Sequence, residues 1–208
     1  YGATVKRRLA HGAVLQVAAF RFDSLTQDPD VAHLSGDVDV LPSMATTDVS
    51  TGALLAWAGL GDVPGVSGQG IGIAVVDSGI SKHKALRGRI VASVDFTGGG
   101  SGDDRYGHGT HVAGIVAAGE ASGPHVDADY RGIAPGAYLI NLKALGDDGS
   151  GKTSDAIAAI EWAVENRARF GIRVINLSLG HPVMEPAADD PLCQAVARAV
   201  HAGICLLY

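Results

Sequence analysis

Two polar residues stand out by their surroundings. Asp77 follows the apolar run Ile73-Ala74-Val75-Val76, which reads as a strand buried on both faces. Its carboxylate therefore falls at the carboxyl edge of a sheet. His108 sits between Gly107 and Gly109, where a stretch of small residues with helical spacing begins. An imidazole there meets the positive end of the helix dipole, which favours the neutral form a general base requires. Taken singly, each has a plainer reading, Asp77 as a loop cap and His108 as a structural residue. His111 shares the helix face three positions on, which raises a metal. No Glu lies between the two histidines, and the helix offers no further ligand beyond Glu120, so a packed, hydrogen-bonded His111 is the better reading.

A third stretch, "GDDGSGKT" at 146–153, satisfies the phosphate-cradling pattern G-x-x-x-x-G-K-[ST] and lies between an apolar run and a helical one. Its chemistry argues against phosphate, because Asp147 and Asp148 would repel a polyphosphate. The strand that follows ends in Ser-Leu-Gly and offers no metal-holding acid. The glycines of "GQGIG" at 68–72 precede their strand instead of following it, so they make no dinucleotide fingerprint.

The elements that must position these residues alternate. Strands are predicted over 71–76, 89–96, 137–145 and 173–179, with a last one in "ICLLY". Helices are predicted over 108–118, from 153 or 154 to 171, and from Asp190-Pro191 to Gly203. The first helix after the phosphate-like stretch carries Ile157, Ile160 and Val164 on one face; the second carries Leu192, Val196 and Val200. Alternation of this kind predicts an α/β fold, a parallel sheet flanked by helices with ligands at the carboxyl ends of the strands. Before it, residues 13–40 read as a small α+β unit of a strand, a short helix and further strands. Residues 42–70, rich in Thr, Ser and Gly, read as a linker with one short helix near Ala53–Ala58.

With 208 residues, 47% of them hydrophobic, the chain can bury a sizeable core. A net charge of −6, with Lys6-Arg7-Arg8 the longest basic run, argues against a nucleic-acid partner, whose backbone needs a clustered positive face. No apolar stretch reaches membrane-spanning length. Cys193 and Cys205, the two cysteines, have neither a metal nor a redox spacing and read as buried thiols.

Four stretches, "GIAVVDSGI" (72–80), "YGHGTHVAGIVAA" (106–118), "KALGDDGSGKTSDAIAAIEWA" (143–163) and "VINLSLG" (174–180), resemble successive landmarks of the subtilisin-like serine proteases in order and separation. The resemblance implies a serine endopeptidase with an Asp/His/Ser triad. Asp77 matches the carboxylate that orients the imidazole, and His108 the general base. Gly149-Ser150-Gly151 and Ser178-Leu179-Gly180 match segments whose main chain pairs with the substrate from either side. The implied partners are protein or peptide substrates, with neither nucleic acid nor membrane, and the implied location is extracellular.

The amino-terminal unit resembles the end of a subtilisin-type propeptide, an intramolecular inhibitor of the cleft. The division expected is a propeptide end over 1–44, a cleavage region and linker over 45–70, and the first part of a catalytic domain over 71–208. Cleavage is expected between about Val40 and Thr51. The family's nucleophile motif and oxyanion-hole Asn are not found, and the chain stops inside an apolar run at Tyr208. The expectation is therefore a carboxyl-terminal cut and a polypeptide inactive by itself. No cofactor is required; structural calcium is possible, but Gly119–Asp129 departs from the family's calcium loop and no site can be placed. Asp103, Asp104, Asp127 and Asp129 read as solvated loop acids. Two alternatives stay open: a non-catalytic peptide-binding protein of the same fold, and a phosphate-loop nucleotide binder.

Overall fold

The computed structural model describes residues 1–42, 53–59, 61–119 and 131–207. The amino-terminal unit opens with a hairpin, β1 (Thr4–Leu9) paired antiparallel with β2 (Gly12–Gln16), followed by the short helix α1 (Phe22–Thr26). The strand β1 was not predicted, because "TVKRRL" places three cations in a row where a strand pattern would alternate. The second half of the unit, expected to hold further strands, runs without regular structure from 28 to 38 and then forms β3 (Asp39–Pro42). The predicted helix in the linker is α2 (Ala53–Ala58).

The parallel sheet follows as predicted. Its strands are β4 (Gly72–Asp77), β5 (Ile90–Asp95), β6 (Tyr138–Lys143), β8 (Ile172–Leu177) and β10 (Cys205–Leu207). Between them lie the helices α3 (His108–Ala117), α4 (Thr153–Glu165) and α5 (Pro191–His201). The strand order is β10-β8-β4-β6-β5, so β4 is central and every one of its six residues is buried. Two very short strands, β7 (Gly151–Lys152) and β9 (Leu179–Gly180), leave the sheet's carboxyl edge and flank β3 in a separate three-stranded sheet.

Alternation along β4 divides the core. Ile73 and Val75 pack with Ala113 and Ala117 of α3 on one face; Ala74 and Val76 pack with Ile157, Ile160 and Ala163 of α4 and with Ala195 and Ala199 of α5 on the other. Asp77 is next in this alternation and belongs to the α3 side. The apolar face of α5 is centred on Ala195 and Ala199, while Val200 is exposed. The small residues, and not the larger ones singled out from the sequence, let α4 and α5 approach closely.

Both cysteines depart from the buried thiols expected: Cys193 is half-buried and Cys205, on the outermost strand β10 of the described sheet, is exposed. Among the described residues, no helix is long and apolar enough to cross a membrane.

Candidate active site

Asp77 ends the central strand, and its backbone is held from the next strand: its carbonyl accepts the amides of Ala144 and Leu145 at 2.8 and 3.1 Å. His108 is the first residue of α3, and Gly109 makes their approach possible. A Cβ on Gly109 would collide with the carbonyl oxygen of Gly79 and stand 3.1 Å from both Cβ and Oδ1 of Asp77. With only hydrogen there, His108 Nδ1 donates to the Asp77 carboxylate, 2.8 Å from Oδ1 and 2.9 Å from Oδ2. The Asp77 side chain is fully buried and that of His108 is 7% exposed. Burial pushes the Asp77 carboxyl above the usual range, although the bond from His108 and the Ser78 amide pull it back in part. A carboxylate on Nδ1–H fixes the imidazole tautomer and leaves Nε2 free to accept a proton. Among the described residues no hydroxyl is bonded to Nε2 of His108.

A second carboxylate, Asp104, lies four residues before His108. It was expected in solvent, but it is 8% exposed. Oδ1 accepts the Gly107 amide (2.7 Å) and the Ser78 hydroxyl (2.9 Å), and Oδ2 accepts the Thr110 amide (2.8 Å) and hydroxyl (2.7 Å). Burial would raise its carboxyl, but the Thr110, Gly107 and Ser78 donors outweigh that and hold it below the usual range. Asp104 thus supplies the acceptor that Gly107, at the cap position of α3, cannot. An Asp six residues before a helical Thr, with glycines between, was the signal available in the sequence. Asp103 is exposed, as expected. His111 is exposed instead of packed. The stretch 120–130, with Asp127 and Asp129 and most of the expected calcium loop, lies outside the described residues, as do residues 43–52 of the cleavage region.

The two segments expected to pair with substrate come from the strands that flank β4. The chain leaving β6 turns through Gly146–Ser150 and enters β7; the chain leaving β8 passes Ser178 and enters β9. Gly149 holds φ +79°, and a Cβ there would stand 2.5 Å from the Tyr106 ring, so the turn packs directly under the residue two before His108. Ser178 is buried and accepts Nδ2 of Asn176 at 2.8 Å. Between the segments runs β3, antiparallel to both: Asp39 pairs with Lys152 and Val40 with Gly151, while Leu41 pairs with Gly180 and Pro42 with Leu179. The slot between β7 and β9 therefore takes an extended chain, and residues 39–42 fill it.

The amino-terminal unit is fastened to the same helix that follows β7. The Asp37 carboxylate accepts the amide and hydroxyl of Ser154, each at 3.0 Å, and caps α4. Thr153, where the helix was expected to start, donates its amide and hydroxyl to the Val38 carbonyl at 3.0 and 2.9 Å. No local pattern marks a cap supplied from more than a hundred residues away. Arg7 pairs with Asp155 and donates to the Phe96 carbonyl at 2.7 Å. His33 lies 2.5 Å from Glu185, which also accepts the Ser35 hydroxyl.

The phosphate-like stretch has its groups engaged. The amides of Gly146 and Gly149 are bonded inside the turn and that of Ser150 to Asp148. Asp147 takes Lys143 and Arg105, at 3.0 and 3.2 Å. Lys152, the residue that should reach a phosphate, is exposed at the start of α4.

Comparison with known proteins agrees with this geometry. The chain is 39% identical over 145 residues to serine protease AprX of Bacillus subtilis (strain 168), an alignment covering 67% of this chain and 32% of that protein. It is 37% identical over 178 residues to the M-protease of Shouchella clausii (strain KSM-K16), covering 86% and 44%. To subtilisin Savinase of Lederbergia lenta it is 40% identical over 136 residues, covering 65% and 47%. The chain thus spans a third to a half of the length of these curated relatives. Residues 68–207 match the subtilase family, Peptidase_S8. With a buried Asp–His pair at the sheet's carboxyl edge and family-wide similarity over two thirds of its length, the chain belongs to the subtilase family of serine proteases.

Proposed function

We propose that these residues form the amino-terminal part of a serine endopeptidase precursor, with residues 1–44 as the end of an inhibitory propeptide, 45–70 as the cleavage region and linker, and 71–208 as the first part of the catalytic domain. The observation that carries the reading is the Asp77–His108 pair, buried and bonded at 2.8 Å, at the same sheet edge as a slot for an extended chain. Asp77 orients the imidazole and stabilises it once charged. His108 Nε2 takes the proton of the attacking serine hydroxyl and returns it to the leaving amine. In this reading the serine and the oxyanion-hole donor come from sequence outside these residues, which the short coverage of the relatives supports.

Substrate is held by its backbone. Gly149, Ser150 and Gly151 on one side and Ser178, Leu179 and Gly180 on the other pair with an extended segment, which favours unfolded or loop regions of protein substrates. Because β3 occupies that slot, the uncut precursor excludes substrate, and cleavage between Val40 and Thr51 releases it. Secretion fits a protease of this kind.

The test is hydrolysis of a denatured protein substrate by the full-length protein and its Asp77→Ala and His108→Ala variants. The reading requires activity in the first and its loss in both variants, with an amino-terminal cut between 40 and 51. Full activity in either variant refutes it. Peptide binding without hydrolysis by the full-length protein would establish the non-catalytic reading instead. The 208-residue polypeptide alone is expected to show no turnover.

A further inference from the structure

The turn that follows β4 carries a proton whose position has consequences for the dyad. The Ser78 hydroxyl has two carboxylates within reach: Asp104 Oδ1 at 2.9 Å and Asp77 Oδ1 at 3.2 Å. It also accepts the Gly109 amide at 3.0 Å. A hydroxyl has one proton to donate, so the two carboxylates compete for it, and the shorter bond goes to Asp104.

We propose that Asp104 is a positioning residue for the Asp77–His108 dyad: it draws the Ser78 hydroxyl proton away from Asp77 and fixes the first turn of α3, so that Asp77 faces His108 as the stronger acceptor. This rests on the endopeptidase reading above. The competing arrangement, with the hydroxyl turned to Asp77, would give Asp77 Oδ1 a third donor besides the Ser78 amide at 2.7 Å and His108. Each donor on a carboxylate stabilises its charge locally and lowers its affinity for the imidazolium proton.

The surroundings explain why Asp104 can hold the proton. Its four bonds come from residues that adjoin the dyad in sequence: Ser78 follows Asp77, Gly107 precedes His108, and Thr110 is two residues beyond it. The Thr110 hydroxyl also accepts the Ser81 amide at 3.0 Å, and Ser81 Oγ bonds the Asp104 backbone at both its amide (3.1 Å) and its carbonyl (2.8 Å). The strand-end turn and the helix start are thereby tied to one carboxylate. The lowered Asp104 carboxyl agrees with this, since an ionised group is needed to accept from all four donors. Two cations of this region are engaged elsewhere, Lys143 with the Asp103 carbonyl and Asp147 and Arg105 with Asp147, and the Asp103 carboxylate is exposed. Exposed His111 of α3 is left untouched by the substitutions below.

The experiment compares pH profiles of kcat/KM for the full-length protein and three variants, with thermal unfolding to check folding. Asp104→Asn replaces the charged acceptor that outcompetes Asp77 with a neutral amide that has a single acceptor oxygen. It should lower kcat about tenfold with KM within about twofold, and move the acid limb, which reports His108, to lower pH by about half a unit or more. Ser78→Ala keeps both carboxylates and removes the contested proton, so the acid limb should stay within about 0.2 unit of wild type. In the double variant the limb should recover most of its shift, because no hydroxyl remains to turn toward Asp77.

The proposal is overturned if Asp104→Asn leaves the limb in place while lowering only the melting temperature, or if the double variant shows the full shift. Should Asp104→Asn not fold, Ser78→Ala decides alone, since a limb raised by about half a unit means that the hydroxyl serves Asp77. A wild-type protein without activity would remove the endopeptidase reading itself, an outcome distinct from an active wild type whose variants behave otherwise than stated.

Discussion

Gly109 is the position where a single methyl group tests the proposed catalysis most directly. In Gly109→Ala the new Cβ would overlap the Gly79 carbonyl oxygen and lie 3.1 Å from Cβ and Oδ1 of Asp77. Two of these three neighbours are backbone or a backbone-anchored carbon, so no flexible side-chain tip can yield. Ordinary contact needs about 3.5 Å, which requires the first turn of α3 to retreat from the end of β4 by about 1 Å. His108 is carried by that turn, so its Nδ1 would leave the 2.8 Å bond to Asp77 by a similar amount. A misplacement of that size costs about a hundredfold in rate, and overpacking costs about 1–3 kcal/mol in stability. Steady-state kinetics on the full-length protein should show kcat down about a hundredfold with KM little changed, because the pairing segments β7 and β9 lie on other elements. Thermal unfolding should show a melting temperature lower by several degrees. A variant with kcat within about threefold of wild type would mean that the Asp77–His108 contact does not limit the reaction, and the roles proposed for both would fall.

Three other substitutions probe the same geometry. Burial raises the Asp77 carboxyl, so ionised Asp77 costs folding free energy: its contribution is intact below about pH 4 and is lost as pH rises through the folded value. Asp77→Asn should therefore raise the melting temperature at pH 7 and not at pH 3 while abolishing activity, and a stabilisation confined to pH 3 would contradict the assignment. Asp37→Ala removes the cap that the amino-terminal unit places on α4; it should weaken inhibition by that unit about tenfold, measured as the Ki of an added 1–44 peptide against mature protein. An unchanged Ki would show that the cap contributes nothing to docking. Gly149→Ala puts a methyl against the Tyr106 ring at a φ of +79°, which should cost about 1–2 kcal/mol and raise KM more than it lowers kcat.

The fold was legible wherever burial dictated pattern. The apolar run at 73–76 is buried on both faces and reads as a continuous stretch, and 138–143 is buried in the same way although Asn141 and Lys143 interrupt its apolar residues. Asp190-Pro191 gave the start of α5 by cap chemistry, and its carboxylate indeed accepts the Leu192 and Cys193 amides. What the pattern could not convey was interaction across distant parts of the chain. Arg7 lies in a cationic run that argues against a strand, yet it is fixed by Asp155 and by the Phe96 carbonyl just beyond β5. Asp37 has no helix beside it in sequence and caps one at 153. Asp104 looked like its neighbour Asp103, and only the folded loop separates the buried acid from the exposed one. The contact between Asp77 and His108 was legible because glycines must stand around it: Gly109 leaves a local trace of a contact that is otherwise between elements.

The same reasoning explains why "GDDGSGKT" imitates a phosphate loop. Both sites need a turn after a buried strand, glycines that let another molecule's atoms reach the main chain, and a helix starting at once. A phosphate would require the turn's amides to converge on a point, as anion-binding loops do. Here the amides of Gly146 and Gly149 are satisfied within the turn, and the chain then straightens so that Gly151 and Lys152 lie along β3. A line of alternating donors and acceptors recognises another extended backbone, and a converging cluster recognises an anion. The distinction lies in φ and ψ over a few residues, and a pattern of residue types alone does not carry it.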